Sequence, residues 1–234
     1  MSKSLFITGT GTDVGKTYVT GLIVKKLREG GASAAYYKAA MSGNDRRADG
    51  TLIPGDALQV KRMSGIEQPL EEMCPYIYET AVSPHLAAKL EGKPLEMECV
   101  LKHFDYVCGK YEYITAEGSG GILCPLRFDE QQIQLEDFIK ARSLSCLMVA
   151  DAGLGTMNAV GLTAEYMKAH KIPVRGIIFN RYEPGNPLHE DNRLMCEAMT
   201  GLHIIACVKD GDTDLDMPFE LLEGFYEENG GGRK

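Results

Sequence analysis

The chain has 234 residues, 44% of them hydrophobic and 25% charged, so it can bury a substantial core and does not have the composition of a disordered or fibrous protein. Its formal net charge of -8 argues against a phosphate backbone as its main partner, since that needs a dense Lys/Arg surface, and favours a small-molecule ligand. The seven cysteines, at 74, 99, 108, 124, 146, 196 and 207, include no Cys-x-x-Cys pair and follow no secretory leader; no apolar run approaches the roughly 20 residues that span a bilayer. The reading is a cytoplasmic protein with reduced thiols and no membrane contact.

The first predicted strand, residues 4–9, ends in Gly9, and a helix is predicted over 16–29 from the periodicity of Val19, Leu22, Ile23 and Leu27. Gly30-Gly31 supplies a stop before a second strand over 34–37, completing a βαβ unit. A short helix over 57–63 follows Asp56. Helical patterns over 95–106, 158–170 and 190–199 then alternate with strands over 112–116, 145–150, 173–179 and 202–208. Such alternation predicts an α/β, single-domain, doubly wound and mostly parallel sheet with helices on both faces. The domain is expected to span 1–225, and 226–234 to form a mobile polar tail without chemistry.

The strongest motif is Gly9-Thr10-Gly11-Thr12-Asp13-Val14-Gly15-Lys16-Thr17, between the first strand and the first helix. Backbone N–H groups at a helix N-terminus form a concave, partly positive nest for phosphate oxygens. Lys16 can reach the β- and γ-phosphates, and the Thr17 hydroxyl can face Mg²⁺. Gly15 allows close approach of the backbone. This places the sheet in the P-loop NTPase type, although five residues separate Gly9 from Gly15 where the standard loop has four.

Carboxylates for a nucleotide-bound Mg²⁺ should lie at strand ends facing the nest. Glu117 ends the run Tyr113-Ile114-Thr115-Ala116 and abuts Gly118-Ser119-Gly120-Gly121. Asp56 reads either as a second metal carboxylate or as the N-cap of the helix it opens. Lys38, after the second strand, is either a solvated strand-end residue or a charge for a developing anionic oxygen. Asp151 reads as a solvated strand end, His85 as part of a helix start, and no histidine has metal-ligand spacing.

Together these segments resemble the dethiobiotin synthetase family. Gly9 to Thr17 follows its longer loop, with Gly11 in place of Asp. Lys38-Ala39-Ala40-Met41-Ser42-Gly43 resembles its Lys-Pro-x-x-Ser-Gly element, with Ala39 in place of Pro. Gly55-Asp56-Ala57, Pro75-Tyr76, Ser83-Pro84-His85 and Glu91-Gly92-Lys93-Pro94 are similar to its middle region, and Glu117 to Gly121 to its Glu-Gly-Ala/Ser-Gly-Gly element. Leu154-Gly155-Thr156-Met157-Asn158 with Leu162-Thr163 is similar to a further element, with Ala159 replacing His. Asn180 matches its adenine-contacting Asn, and the similarity weakens after about residue 210.

The resemblance implies an ATP- and Mg²⁺-dependent ligase that joins CO₂ to 7,8-diaminononanoate and closes a ureido ring through a carbamate and a carbamic-phosphoric anhydride. Lys16, Lys38, Thr12 and Ser42 would carry the chemistry, and none would act as a covalent nucleophile. Asp13, Val14, Gly15, Lys16, Thr17, Tyr18, Glu117 and Asn180 would hold the nucleotide, with Thr17, Asp56 and Glu117 around the metal. The substrate would meet Thr12, Lys38, Ser42 and Gly118. In a homodimer its distant carboxylate would meet the helix start at Gly155, Thr156 and Asn158 of the other subunit, near the subunit interface.

Two other families share parts of the pattern. Partition and septum-positioning ATPases resemble the first strand, loop and helix but carry an extra loop Lys where this chain has Thr10-Gly11-Thr12. Ligases like cobyrinic acid a,c-diamide synthase have a similar synthetase part but need a glutamine-hydrolysing domain for which this length leaves no room.

Overall fold

The computed structural model describes residues 1–229. It begins with β1 (Lys3–Gly9), α1 (Lys16–Glu29), β2 (Ala34–Lys38) and β3 (Ala40–Met41), followed by α2 (Gly55–Ser64), β4 (Tyr76–Ile77), α3 (Pro84–Leu90) and α4 (Met97–Cys108). Next come β5 (Tyr113–Glu117), β6 (Pro125–Phe128), β7 (Gln132–Gln134), α5 (Leu135–Ala141), β8 (Cys146–Asp151) and α6 (Thr156–Ala169). The described chain closes with β9 (Val174–Asn180), α7 (Pro187–Thr200), β10 (Ile204–Cys207), α8 (Phe219–Glu223) and β11 (Glu227–Glu228).

The main sheet has the order β10-β9-β8-β1-β5-β2 and is parallel along that path. Because the strands are covered on both faces, they are apolar almost throughout. Alternation along β1 and β2 sends Leu5, Ile7 and Tyr36 into one core with Val19, Ile23 and Leu27 of α1. Phe6 and Tyr37 go into the other, with Phe104 of α4, Phe138 of α5 and Met167 of α6. The sheet is thus doubly wound, as expected.

Two short pairs, β3 with β4 and β6 with β7, lie outside the main sheet, and strands this brief carry no periodic signal. A further difference concerns the expected tail. Tyr226 is buried beside Thr115, its hydroxyl 2.6 Å from Thr115 Oγ1, and β11 pairs antiparallel with Lys3 and Ser4. The start of β1 is open there because β8 pairs only with Phe6 to Gly9. Residues 226–229 are therefore held by the sheet edge they complete; residues 230–234 of the expected tail lie outside the described residues.

Candidate active site

The parallel register brings the C-terminal ends of β1, β5 and β2 together, pairing Lys38 with Glu117 and Glu117 with Ile7. This is the edge at which open α/β sheets carry their ligands. A cleft of about 990 Å³ opens there, and it collects Thr12, Asp13, Gly15, Lys16, Thr17, Tyr18, Lys38, Ser42, Asp56 and Glu117 from five stretches of the chain.

The loop between β1 and α1 forms one wall. Gly15 adopts φ 91°, and a Cβ there would stand 2.0 Å from Asn180 Nδ2, so neither the conformation nor the space admits a side chain. Asp13 is also left-handed, at φ 61°. Gly15 serves as the N-cap of α1 and no side chain caps that end, which leaves first-turn N–H groups available to an anion. Lys16 Nζ lies 2.7 Å from Gly11 O, curled over the loop. A Cβ on Gly11 would meet nothing within 4 Å, so its departure from the family Asp opens space without straining the loop.

The floor is a charge cluster in which Lys38 and Glu117 are buried and Asp56 is partly exposed to the cleft. Lys38 Nζ lies 2.8 Å from Glu117 Oε1 and 2.6 Å from Asp56 Oδ2. Thr17 Oγ1 donates to the same Glu117 Oε1 at 2.9 Å, and Tyr36 OH donates to Oε2 at 3.2 Å. The Glu117 side chain is fully buried, and the bonds to both of its oxygens replace the water it has lost. Asp56 sits in the first turn of α2 but does not cap it; Pro54 is the cap residue, and Asn44 Oδ1 accepts the Gly55 N–H at 2.9 Å. The capping alternative for Asp56 thus gives way to a carboxylate turned onto Lys38.

Burial disfavours the charged form of Lys38, but the Glu117 and Asp56 carboxylates outweigh it and raise the ammonium above the usual lysine range. Burial likewise works against the Asp56 carboxylate, yet Lys38 beside it holds its pKa below the ordinary value. Lys16 has no such direct partner. Burial, reinforced by the positive charge of Lys38, lowers it to about 8. Two lysines of one cleft therefore have opposite tendencies: Lys38, in the floor, is locked as a cation, and Lys16, on the loop wall, is poised to gain from an incoming anion.

Other expected residues lie elsewhere. Val14, Gly118 and Asn180 are not among the lining residues. Asn180 is buried behind the loop with Nδ2 3.1 Å from Val14 O, and Gly118 packs so tightly that a Cβ would lie 2.8 Å from Leu135 Cδ2. Gly155, Thr156 and Asn158 form the uncapped start of α6, outside this chain's cleft, and Thr156 Oγ1 is buried there without a partner. Conversely, Tyr36, Arg181, Ser119, Gln59 and Cys124 at or around the cleft escaped the sequence reading. The two-residue spacing of Tyr36 and Lys38 on one strand face could have flagged Tyr36; no local signal marks Arg181.

A strand-loop-helix phosphate nest at the carboxyl edge of a doubly wound parallel sheet defines a P-loop nucleotide-binding protein. Solved structures agree on the fold. The MinC:MinD cell division protein complex of Aquifex aeolicus superposes with a TM-score of 0.54 at 15% identity, over 89% of this chain and 82% of that one. A ParA family ATPase from Chlorobium tepidum gives 0.54 at 14% identity, over 89% and 84%. Residues 3–213 match the family model described as an AAA domain. Among curated proteins, ATP-dependent dethiobiotin synthetase BioD of Clostridium botulinum (strain Alaska E43 / Type E3) is 43% identical over 227 residues, covering 97% of this chain and 99% of that protein. The protein of the same name from Brachyspira hyodysenteriae is 46% identical over 217 residues, covering 92% and 96%. The chain belongs to the ATP-dependent dethiobiotin synthetase family and is a ligase.

Proposed function

We propose that the chain converts 7,8-diaminononanoate, CO₂ and ATP to dethiobiotin, ADP and phosphate. The observation that carries the reading is the Lys38 ammonium, fixed between Asp56 and Glu117 beside a phosphate loop whose helix start is uncapped and whose Lys16 has no carboxylate partner. This joins a place for a triphosphate to a fixed positive charge able to hold an anionic substrate group.

One substrate amine takes up CO₂ and loses a proton, giving a carbamate. Lys38 and the hydroxyls of Thr12 and Ser42 hold it. Ser42 Oγ already donates to Val82 O at 2.5 Å, so its lone pairs are left to accept from a substrate N–H. A carbamate oxygen then attacks the γ-phosphorus as the bond to ADP breaks, and Lys16 stabilises the transferring oxygens. The second amine attacks the carbonyl carbon, phosphate leaves, a proton is lost and the ring closes. Positioning and charge stabilisation carry such a transfer, and no side chain need become covalently attached.

Asp13 to Tyr18 would hold the phosphates through the loop and the start of α1, while Asn180, which matches the family's adenine-contacting Asn, would here support the loop through the Val14 carbonyl. Thr17, Asp56 and Glu117 would hold Mg²⁺: they offer hard oxygen donors around a spot that already stabilises a cation, and two carboxylates suit an ion that keeps several waters. When bound, the ion would draw charge from the β- and γ-phosphate oxygens.

Gly118 would stiffen the floor beneath the substrate. A second copy of the chain would bring the α6 start, with Gly155, Thr156 and Asn158, to the substrate carboxylate. Exposed Leu154, Leu162, Leu194 and Met199 around α6 and α7 supply an apolar surface for such a copy. Free thiols at all seven cysteines suit a reducing cytoplasm. The test is a product assay with Mg-ATP, bicarbonate and diaminononanoate. Dethiobiotin and phosphate should form in equal amounts; phosphate release indifferent to the diamine would sink the reading.

A further inference from the structure

Asn180 and Arg181 follow one another at the end of β9, and on a continuing strand their side chains would point to opposite faces. Here both reach the phosphate loop. Asn180 Nδ2 donates to Val14 O at 3.1 Å, and Arg181 Nη2 donates to Asp13 O at 2.9 Å, so consecutive side chains take consecutive loop carbonyls. The left-handed backbone of Arg181, at φ 54°, makes this arrangement. Its neighbours are fixed: Ala152 N–H donates to Asn180 O, Tyr182 N–H donates to Val208 O, and both flanking side chains are buried. A non-glycine residue in this region is strained and persists where its surroundings impose it.

The other arm of the guanidinium is anchored as well. Arg181 Nη1 lies 2.6 Å from Asp151 Oδ2, while Asp151 Oδ1 accepts the Gly153 N–H at 2.8 Å. A strand-end aspartate that reads as solvated thus braces a bridge from the end of β8 to the loop. Because the C=O and N–H of one planar peptide point in opposite directions, holding the Asp13 carbonyl on Arg181 also fixes the Val14 N–H, directed away from the guanidinium.

We infer that Arg181 is a positioning residue of the nucleotide site, braced by Asp151, that holds the phosphate loop in its anion-binding shape before ATP arrives. The inference rests on the proposed nucleotide role of the loop. Preorganisation of this kind strengthens binding by removing an ordering cost, and leaves chemistry after binding largely unaltered.

The test is calorimetric binding of Mg-ATP, with steady-state kinetics, for the full chain and the variants Arg181→Ala, Arg181→Asn, Arg181→Lys, Asp151→Asn and the double variant Asp151→Asn/Arg181→Ala. Arg181→Asn retains a residue type that tolerates the left-handed backbone, so it separates loss of the guanidinium from loss of the turn. Arg181→Ala and Arg181→Asn should both raise the Kd and KM for ATP about tenfold, with kcat changed by less than about twofold. Arg181→Lys, able to reach one partner only, should recover part of the loss, and the KM for the diamine should stay put. Asp151→Asn should cost less, and the double variant no more than Arg181→Ala. An Arg181→Asn protein that binds ATP as wild type does would overturn the inference alone; wild type that binds no ATP would overturn the functional reading and this inference with it.

Discussion

Tyr36 and Tyr37 are neighbours on β2, both fully buried, and they belong to different undertakings. The Tyr36 hydroxyl bonds Glu117 Oε2 beneath the cleft, whereas that of Tyr37 bonds Val100 O at 2.8 Å and its ring packs 5.1 Å from Phe104 and 5.7 Å from Phe138. Burial raises both phenols well above their ordinary pKa, with the Glu117 charge adding to the effect at Tyr36. Both therefore act as hydrogen-bond donors and neither as an acid. One strand hands its odd and even positions to opposite faces, so chemistry and cohesion are separated by a single peptide unit. Substitutions on the two faces should accordingly separate turnover from stability.

The widest separation is expected between Lys38→Ala and Phe138→Ala. Removing the Lys38 ammonium should cut kcat by roughly a thousandfold, about 4 kcal/mol of transition-state stabilisation, while ATP binding changes far less. Truncating Phe138, which packs against Phe6, Tyr37 and Phe104, should cost about 3–5 kcal/mol of folding stability, with kinetics per folded molecule unchanged. Chemical denaturation and single-turnover ring closure, run on both variants, check this. A Lys38→Ala enzyme that closes the ring at wild-type rate would end the division of labour between the faces.

The tyrosines themselves give a sharper and smaller contrast, since Tyr→Phe deletes one oxygen from each. Tyr36→Phe leaves Glu117 Oε2 buried without its donor, costing about 1–3 kcal/mol and loosening the carboxylate proposed to hold the metal. The Mg²⁺ concentration for half-maximal activity should rise several-fold, and Mn²⁺ binding in the presence of ATP, followed by electron paramagnetic resonance, should weaken with it. Tyr37→Phe should cost about 1 kcal/mol of stability and leave the metal titration where it was. Equal metal titrations for the two variants would show that Tyr36 is only another core residue.

The same geometry explains which parts could be read from the chain alone. The strands of the parallel path announce themselves as apolar runs and the helices α1, α4, α6 and α7 as helical patterns, α2 is signalled by Pro54-Gly55-Asp56 at its start, and Gly9 to Thr17 carries its chemistry in consecutive residues. By contrast β3, β4, β6, β7 and β11 are too short to show a period, and their pairing is decided by what surrounds them. Lys38 and Asp56 each had two local readings, and only the meeting of β2, β5 and α2 removes the solvated reading of the one and the capping reading of the other. Arg181 lies 168 residues from the carbonyl it holds, and Tyr36 lies 81 residues from Glu117. The spacing of Tyr36 and Lys38 marks only a shared strand face and not the partner, which sheet order supplies, and Arg181 has no local signature because an irregular turn makes its contact.

The smallest effect concerns Lys16, the cleft lysine that lacks a carboxylate of its own. Burial and the neighbouring Lys38 charge lower it to about 8 in the free protein, so below that pH it is already charged. Bound triphosphate stabilises the ammonium, so the pKa in the complex must lie above the free value. The sign follows by linkage: ATP affinity should be nearly flat with respect to this group below pH 8, then fall by up to tenfold per pH unit above it, as binding begins to take up a proton. Calorimetry in buffers of differing ionisation enthalpy should therefore show proton uptake near pH 9 that is absent near pH 7. Lys16→Arg, charged throughout, should show neither the uptake nor the slope. Lys38, held as a cation by two carboxylates over this range, contributes nothing to that slope, so uptake persisting in Lys16→Arg would mean that the two lysines had been assigned the wrong electrostatic roles.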